Sequence, residues 1–412
     1  MENLFAKKEI PPLSTVGTKL ATPQNRVASV DVYRGFVMLL MLAEVLSFDK
    51  IANAIPDNNF WQFLYFQQSH APWTMLALHD MIQPSFTFLV GVVLPYSIAS
   101  RKTKGATTYN LLMHTFKRSF LLIVLGIFLR SIGDKQTYFT FEDTLTQIGL
   151  GYTFLVLLSL RSQRFQIITL IILLIGYWLA FALYPLPDST FNYSTSGVTP
   201  NWSHNLQEFS AHWNKNTNLA WAFDKWFLNI FPRKTIFYNN EGGYATLSFI
   251  PTLATMIIGL LAGNKLHSPT LPIKKITFFI VFGISLSITG LLLHITGINP
   301  IVKRIWTPAW TIFSGGICLL LLSFFYRIVD VAGKKKWSFF LLVIGSNSIA
   351  AYLIADGGIR EFIHQSLYTH LGQQYDTIFG AAYAPLVSGV LTLIIVWLIL
   401  YWLYKNKIFI KI

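Results

Sequence analysis

The stretch HAPWTMLALHDMIQPSFTFLVGVVLP, residues 70–95, places two histidines and an aspartate at the edge of a long apolar run. The run extends from Met81 to Ala99, close to the roughly 20 residues that a helix needs to cross a bilayer. Ionisable groups at the edge of a membrane are costly and often mark functional sites. The stretch therefore predicts a membrane helix with a candidate site, His70, His79 and Asp80, at its entrance.

The composition indicates a membrane protein. Of the 412 residues, 53% are hydrophobic and 12% are charged, whereas a soluble domain carries about 25% charged residues. In a soluble protein the formal net charge of +14 would suggest a nucleic-acid partner. Here the basic residues fall mostly in alternate short loops, so we expect a lipid bilayer and no nucleic acid as partner. The single cysteine, Cys318, excludes an intramolecular disulfide.

Ten apolar segments predict the fold class. We expect an all-α polytopic membrane protein, a bundle of about ten transmembrane helices with an external loop cap. The segments lie at residues 32–48, 81–100, 117–133, 145–160, 165–185, 246–264, 274–296, 306–328, 337–356 and 381–404.

The basic residues predict the orientation. Lysines and arginines concentrate in the amino-terminal tail, in every second connection and at the carboxyl end, which the positive-inside rule assigns to the cytoplasm. We therefore expect both termini to be cytoplasmic in a multi-pass protein of the bacterial inner membrane. Residues 1–28 form a cytoplasmic tail without the apolar core of a signal peptide, and residues 29–412 form the transmembrane domain.

The long connection at residues 186–245 is predicted to be external. It is rich in tryptophan, tyrosine and amide side chains and too polar to cross a bilayer. Aromatic faces stack on sugar rings and amides bond hydroxyl groups, so an acceptor platform is one interpretation. A folded cap without a binding role is the other, and the two are equally compatible with the composition.

Three charged residues mark the first predicted helix. Asp31 and Arg34 lie three positions apart, on one helical face, where they are able to pair. A capping carboxylate with a snorkelling arginine explains them, and a direct ligand role is the alternative. Glu44 lies inside the apolar run, where a lone carboxylate is expected to face the bundle interior, as part of a site or as a buried acid bonded to a backbone or hydroxyl donor.

The histidines at the second helix suit proton transfer. A neutral imidazole, with a pKa near 6.5, is able to take a proton from an amine or hydroxyl at ambient pH. Asp80, ten residues after His70, would orient that imidazole or bind an acceptor, and His79 is a second candidate. The alternative is structural, with Asp80 as the amino-terminal cap of the helix and His70 as an interfacial histidine.

Further polar residues lie at or within later helices, and they either bridge helices or line a cavity. These candidates are Gln147, Glu241, Lys303, Trp306, Asn347 and Ser348. The sequence contains no Walker A loop, HExxH, GxSxG or paired Cys–His zinc spacing, and we expect no metal site.

Taken together, these motifs resemble the heparan-α-glucosaminide N-acetyltransferase family. The similarity covers nearly the whole chain after residue 26, in motif order. The two most specific blocks are Ser29, Asp31, Tyr33, Arg34 and Gly35, then His70, Ala71, Trp73, Asp80, Pro84, Phe86, Phe88 and Gly91. Weaker matches are Arg118-Ser-Phe, Gln147-x-Gly149, Glu241-Gly242 with Thr246, Gly259 to Gly263, Lys303 with Trp306-Thr307, and Asn347-Ser348 with Tyr352.

The resemblance implies a membrane-bound acyltransferase. Such an enzyme would use cytosolic acetyl-CoA as co-substrate to acetylate an amino sugar or related glycan on the far side of the membrane. His70 would be the catalytic base, aided by Asp80, or less favourably would carry the acetyl group covalently. Gln147, Glu241, Lys303, Trp306 and Asn347 would contact the acceptor or thioester, and Asp31, Arg34, Arg118 and Ser348 the coenzyme. Glu44 and His79 are not matched positions, and their own chemistry makes them candidates for acceptor binding.

Two other classes remain open. A proton-coupled permease for an amino sugar or similar solute would use Glu44, His79 and Asp80 as a proton relay. A non-catalytic membrane scaffold is the third, and a homodimer is compatible with each class. The transferase hypothesis makes a structural demand, because a path must link the basic cytoplasmic face to His70.

Overall fold

A computed structural model describes residues 27–372 and 374–410. Most of the predicted cytoplasmic tail, including Lys7, Lys8, Lys19 and Arg26, and also Lys411, lies outside the described residues. The helices are α1 (Ala28–Leu42), α2 (Phe48–Ala54), α3 (Asn59–Gln68), α4 (Ile82–Thr103), α5 (Thr108–Arg130), α6 (Thr144–Ser159), α7 (Gln163–Ala182), α8 (Leu219–Phe227), α9 (Phe249–His267), α10 (Pro272–Ile295), α11 (Pro308–Phe325), α12 (Phe339–Ser346), α13 (Ser348–Asp356), α14 (Ile359–Leu371) and α15 (Ala384–Lys405).

The fold class is confirmed, and the number of long spans is smaller than predicted. All ten predicted segments contain helix, but within the described ranges seven helices are long and apolar enough to cross a membrane, or eight if α12 and α13 form one bent span. The two segments that fall short are α1, with 15 residues, and α6, with 16. In α1 the chain turns into a 3₁₀ segment at Ala43–Leu46, which brings Glu44 to the helix end.

Glycines allow a close helix contact between α4 and α9. A Cβ atom on Gly259 would lie 2.0 Å from the carbonyl oxygen of Phe88, and one on Gly91 would lie 2.0 Å from that of Met256. Membrane helices gain stability from such close approach because apolar surface alone gives them no advantage over lipid. The pair α4–α9 therefore forms a rigid centre for the bundle.

A broken helix supplies part of the polar interior. The helices α12 and α13 meet at Asn347 with a bend of 78°. The side chain of Asn347 donates to the carbonyl of Ile408 at 2.9 Å and accepts the amide of Ile410 at 3.1 Å. The break is thus stabilised by hydrogen bonds to Ile408 and Ile410. The helix α13 begins after the break and ends at Asp356.

The segment 186–245 is folded against the bundle. It contains α8 and several 3₁₀ turns, and its small apolar core includes Trp213 and Ala220 packed with Trp73, Tyr177 and Phe181. The indole nitrogen of Trp73 donates to the carbonyl of Trp213 at 3.1 Å. The loop that carries His70 is therefore anchored in this cap.

The glycine contact gives a stability prediction. Replacing Gly259 with alanine should destabilise the protein by about 1–3 kcal/mol, because a methyl group has no room against α4. Gly176 in α7 is the matched control, since a Cβ there meets no atom within 4 Å and alanine favours helix. Thermal unfolding of the detergent-solubilised variants measures both. Equal midpoints for Gly259→Ala and Gly176→Ala would contradict the close packing of α4 on α9.

Candidate functional site

The loop before α4 is pinned to the segment before α11. Thr74 and Val302 form an antiparallel bridge, and the amide of Met75 donates to the carbonyl of Ile301 at 3.0 Å. Met75 takes a positive φ of 70°, a conformation that non-glycine residues adopt rarely and only where surrounding contacts hold it. This pairing places His70 beside Lys303, although 233 positions separate them in the chain.

A tight turn presents Lys303. The amide of Trp306 donates to the carbonyl of Lys303 at 2.9 Å, and Trp306 has a φ of 49°. Its buried indole donates to Thr255 on α9 at 3.0 Å, and Arg304 donates to the carbonyls of Gly242 and Ala71. The neighbours of Lys303 thus fix the turn.

Asp80 is the centre of the site. It is 1% exposed, and its Oδ2 accepts the amides of Ala71 and Ala77, each at 3.0 Å. Its Oδ1 lies 2.7 Å from Nδ1 of His70 and 3.0 Å from Nζ of Lys303. A buried carboxylate is stable when every acceptor position is filled in this way.

The network defines which nitrogen of His70 is available. A carboxylate only accepts hydrogen bonds, so Nδ1 of His70 carries the proton that Asp80 receives. Nε2 is then the unprotonated nitrogen, and it has no hydrogen-bond partner among the described residues. The side chain of His70 is 37% exposed. The arrangement is that of an oriented imidazole with a free basic nitrogen.

The surroundings of His70 favour its neutral form. Burial lowers the pKa of His70 below its ordinary value. The hydrogen bond to Asp80 opposes this effect, while the positive charge of Lys303 adds to it. The lowered pKa keeps Nε2 able to accept a proton at neutral pH.

A second ion pair adjoins the first. Nε2 of His79 lies 2.9 Å from Oε1 of Glu44, and Oε2 of Glu44 accepts a hydrogen bond from Arg360 at 2.9 Å. The rings of His70 and His79 have centroids 4.8 Å apart. The end of α1, the start of α4 and the start of α14 are therefore joined through Glu44.

One cavity of about 360 Å³ adjoins these groups. Its wall includes Glu44, His70, His79 and Lys303, which the sequence predicted as site residues. It also includes residues that sequence reasoning did not select. They are Met41, Ile82, Gln83, Arg130, Glu142, Asp143, Thr144, Asn240, Gly242, Tyr244, Tyr352 and Asp356.

Four predicted acceptor residues lie elsewhere. Gln147 donates to the carbonyls of Phe141 and Thr246 at 2.7 and 3.2 Å, and Asn347 bonds the carboxyl-terminal segment, so both bridge elements of the fold. Trp306 is buried against Thr255. Glu241 is exposed and precedes the cavity residue Gly242. A role for these four in acceptor binding stays a prediction.

The predicted coenzyme residues are also outside this cavity. Arg34 pairs with Asp31 at 3.3 Å on the first turns of α1. Arg118 donates to the hydroxyl of Tyr152 at 3.1 Å and covers its ring at 4.7 Å. Ser348 begins α13. None of these residues lines the cavity at His70. The transferase hypothesis therefore still requires a path from the coenzyme residues to His70.

The unselected charges share one feature. Arg130 ends α5, Glu142 and Asp143 precede α6, and Asp356 ends α13. Charged residues at helix ends are usually solvated caps, so the sequence alone does not indicate these four as site residues. The available signal was that all four fall at the ends that the positive-inside rule places on the same side as His70.

The sequence is similar to two curated acetyltransferases. A curated protein from Homo sapiens, heparan-alpha-glucosaminide N-acetyltransferase, is 23% identical over an alignment that covers 96% of this chain. This chain is a distant relative of that acetyltransferase. The Mus musculus heparan-alpha-glucosaminide N-acetyltransferase is also 23% identical, over 94% of the chain. No family model matches the sequence. The chain spans about 61% of the length of both acetyltransferases.

The Asp80 network gives a second stability prediction. Asp80→Asn should destabilise the protein by about 3–5 kcal/mol, because Lys303 would keep a buried charge without its counter-ion. Asp134→Asn is the matched control. Asp134 pairs with Lys234 at 3.4 Å on the surface, where a pair contributes about 0–1 kcal/mol. Thermal unfolding compares the two, and similar losses would contradict a central role for Asp80.

Proposed function

We propose that the protein is a membrane acetyltransferase. It moves an acetyl group from cytosolic acetyl-CoA to an amino sugar or related glycan at the opposite, periplasmic face of the bacterial inner membrane. The observation that carries this proposal is the hydrogen bond from His70 to buried Asp80, which leaves Nε2 of His70 free at a cavity. The distant relationship to the human and mouse acetyltransferases supports the reaction class.

The transfer step requires one proton acceptor. Nε2 of His70 takes a proton from the acceptor amine while the amine nitrogen forms a bond to the carbonyl carbon of the thioester. The carbon–sulfur bond then breaks, the electron pair leaves with sulfur, and His70 returns the proton to the thiolate. Asp80 holds the imidazole in the required tautomer and stabilises the transient imidazolium.

Lys303 is the favoured group for the developing oxyanion. Its ammonium group lies at the cavity wall, and a fixed positive charge there stabilises negative charge on the thioester oxygen. Gln147 and Asn347, the other candidates, already donate to backbone carbonyls. The buried pair with Asp80 holds Lys303 in place before the reaction.

The coenzyme would bind at the opposite end of the bundle. Its phosphates suit basic residues at helix ends, namely Arg34, Arg101, Lys117, Arg118 and Lys275. From Asp31 to Met41, which lines the cavity, α1 rises about 15 Å. In the described conformation Tyr33, Met38 and Phe88 fill the interior between these ends. Delivery of the acetyl group therefore requires this packing to open when the coenzyme binds.

Removal of His70 tests the reaction. Protein in nanodiscs with labelled acetyl-CoA and a panel of amino sugars should form acetylated product. His70→Ala should lower the rate by at least about 100-fold, because general-base catalysis contributes that much. His370→Ala is the matched control, since His370 is exposed near the end of α14 and should leave the rate unchanged.

The outcome also separates the competing classes. Accumulation of an unmodified amino sugar in proteoliposomes, without acetylation, would favour the permease. The absence of both acetylation and coenzyme binding would contradict the transferase. Full activity in His70→Ala would remove His70 as the base.

The pH dependence of the reaction tests the role of Lys303. Because the pKa of His70 is lowered, the midpoint of the acid limb of kcat/KM should lie below pH 6.5. Removing the positive charge in Lys303→Gln raises the pKa of His70, so the acid limb should move to higher pH. A pH–rate profile of the two proteins measures this shift. An unchanged limb would show that the titrating group is not His70.

A further inference from the structure

The cavity wall contains a second charged cluster that the proposed transfer step does not use. Glu142 and Asp143 lie between α5 and α6, and Asp356 ends α13. All three line the cavity together with Arg130. Arg130 is the guanidinium that shares this wall with the three carboxylates, while Arg360, which is paired with Glu44, also acts on Asp356.

The cluster has an unfilled acceptor position. Arg130 donates to Oδ1 of Asp143, while Oδ2 has no hydrogen-bond partner among the described residues. The side chain of Asp143 is only 6% exposed. A buried carboxylate oxygen without a donor is costly, so this position requires a donor that the described residues do not supply.

Asp143 also lies at a junction. A second cavity of about 360 Å³ shares Arg130, Asp143, Tyr352 and Asp356 with the first. The shared wall places Asp143 where a ligand in either cavity would meet it. By contrast, the carboxylate of Asp80 has donors on both oxygens and its own buried cation.

The electrostatics of Asp143 agree with this geometry. Burial raises the pKa of Asp143 to about 6, the charges of Glu142 and Asp356 add to the rise, and Arg130 opposes it. A nearby cation would relieve each of the unfavourable contributions. At neutral pH the carboxylate is still mainly ionised and able to bind one.

An ammonium group on an organic ligand suits the free oxygen of Asp143. The described residues contain no group of three or more His, Cys, Asp or Glu side chains placed to hold a metal ion. A cationic group on an organic ligand has a longer reach, and an ammonium brings three donors. It would fill the free oxygen of Asp143 and share its remaining donors with the adjacent carboxylates.

We propose that Asp143, with Glu142 and Asp356, forms the subsite that receives the ammonium group of the acceptor, which then loses one proton to solvent before the neutral amine attacks the thioester with His70 as base. This inference rests on the proposed function and adds to it the residues that select a cationic amine. A hydroxyl acceptor is uncharged, so it gains no electrostatic attraction from these carboxylates. The subsite therefore favours transfer to nitrogen over transfer to oxygen.

The test compares charged and neutral ligands of one shape. Binding of glucosamine, glucose, ethanolamine and ethylene glycol to the protein in nanodiscs is measured by calorimetry at pH 7, without acetyl-CoA. Each amine should bind at least about tenfold more tightly than its hydroxyl counterpart, the gain of one charge-assisted hydrogen bond. Asp143→Asn should abolish the preference, and Asp356→Asn, at the end of α13, should reduce it.

Asp57→Asn is the matched control, because Asp57 is exposed and outside the cavity wall. It should keep the full preference. Equal affinity of the wild-type protein for amines and hydroxyls, or no amine binding at all, would overturn the subsite. So would an unchanged preference in folded Asp143→Asn. Amine binding without acetylation would contradict the transferase but leave the subsite in place, which separates the two proposals.

Discussion

The structure around the cavity depends on one buried carboxylate. Asp80 has its four near neighbours from three separate parts of the chain: the loop with His70 and Ala71, the turn at Ala77, and Lys303 before α11. An ionised carboxylate is tolerated in such a place only when its donors hold their positions. The bridge between Thr74 and Val302 and the strained turn at Trp306 are understood as the means of holding them there.

The fold was largely predictable, because the bilayer imposes a simple pattern. Runs of about 20 apolar residues predict membrane helices, and the basic residues in the connections predict which side of the membrane each connection lies on. The count of spans was less predictable at α1 and α6. Both are short, and each has a charged residue of the cavity wall at one end, Glu44 after α1 and Asp143 before α6.

The site was predictable where local sequence defines it. His70 and Asp80 lie within one loop and helix start, and their spacing of ten residues led to the prediction that Asp80 orients the imidazole or binds the acceptor. The partnership with Lys303 crosses 223 positions from Asp80 and could be named only as a candidate. Arg130, Asp143 and Asp356 were missed, because a charge at a helix end has the same local pattern whether it faces water or a cavity. Only the packing of α5 beside α6 and α13 distinguishes the two.

The break at Asn347 has a practical consequence. Its amide is occupied by the backbone of Ile408 and Ile410, and the helix that begins there carries Tyr352 and Asp356 to the cavity. Ile408 and Ile410 are therefore mechanically connected, through α13, to the candidate acceptor subsite. A purification tag or fusion partner inserted directly after Ile410 would pull on that connection.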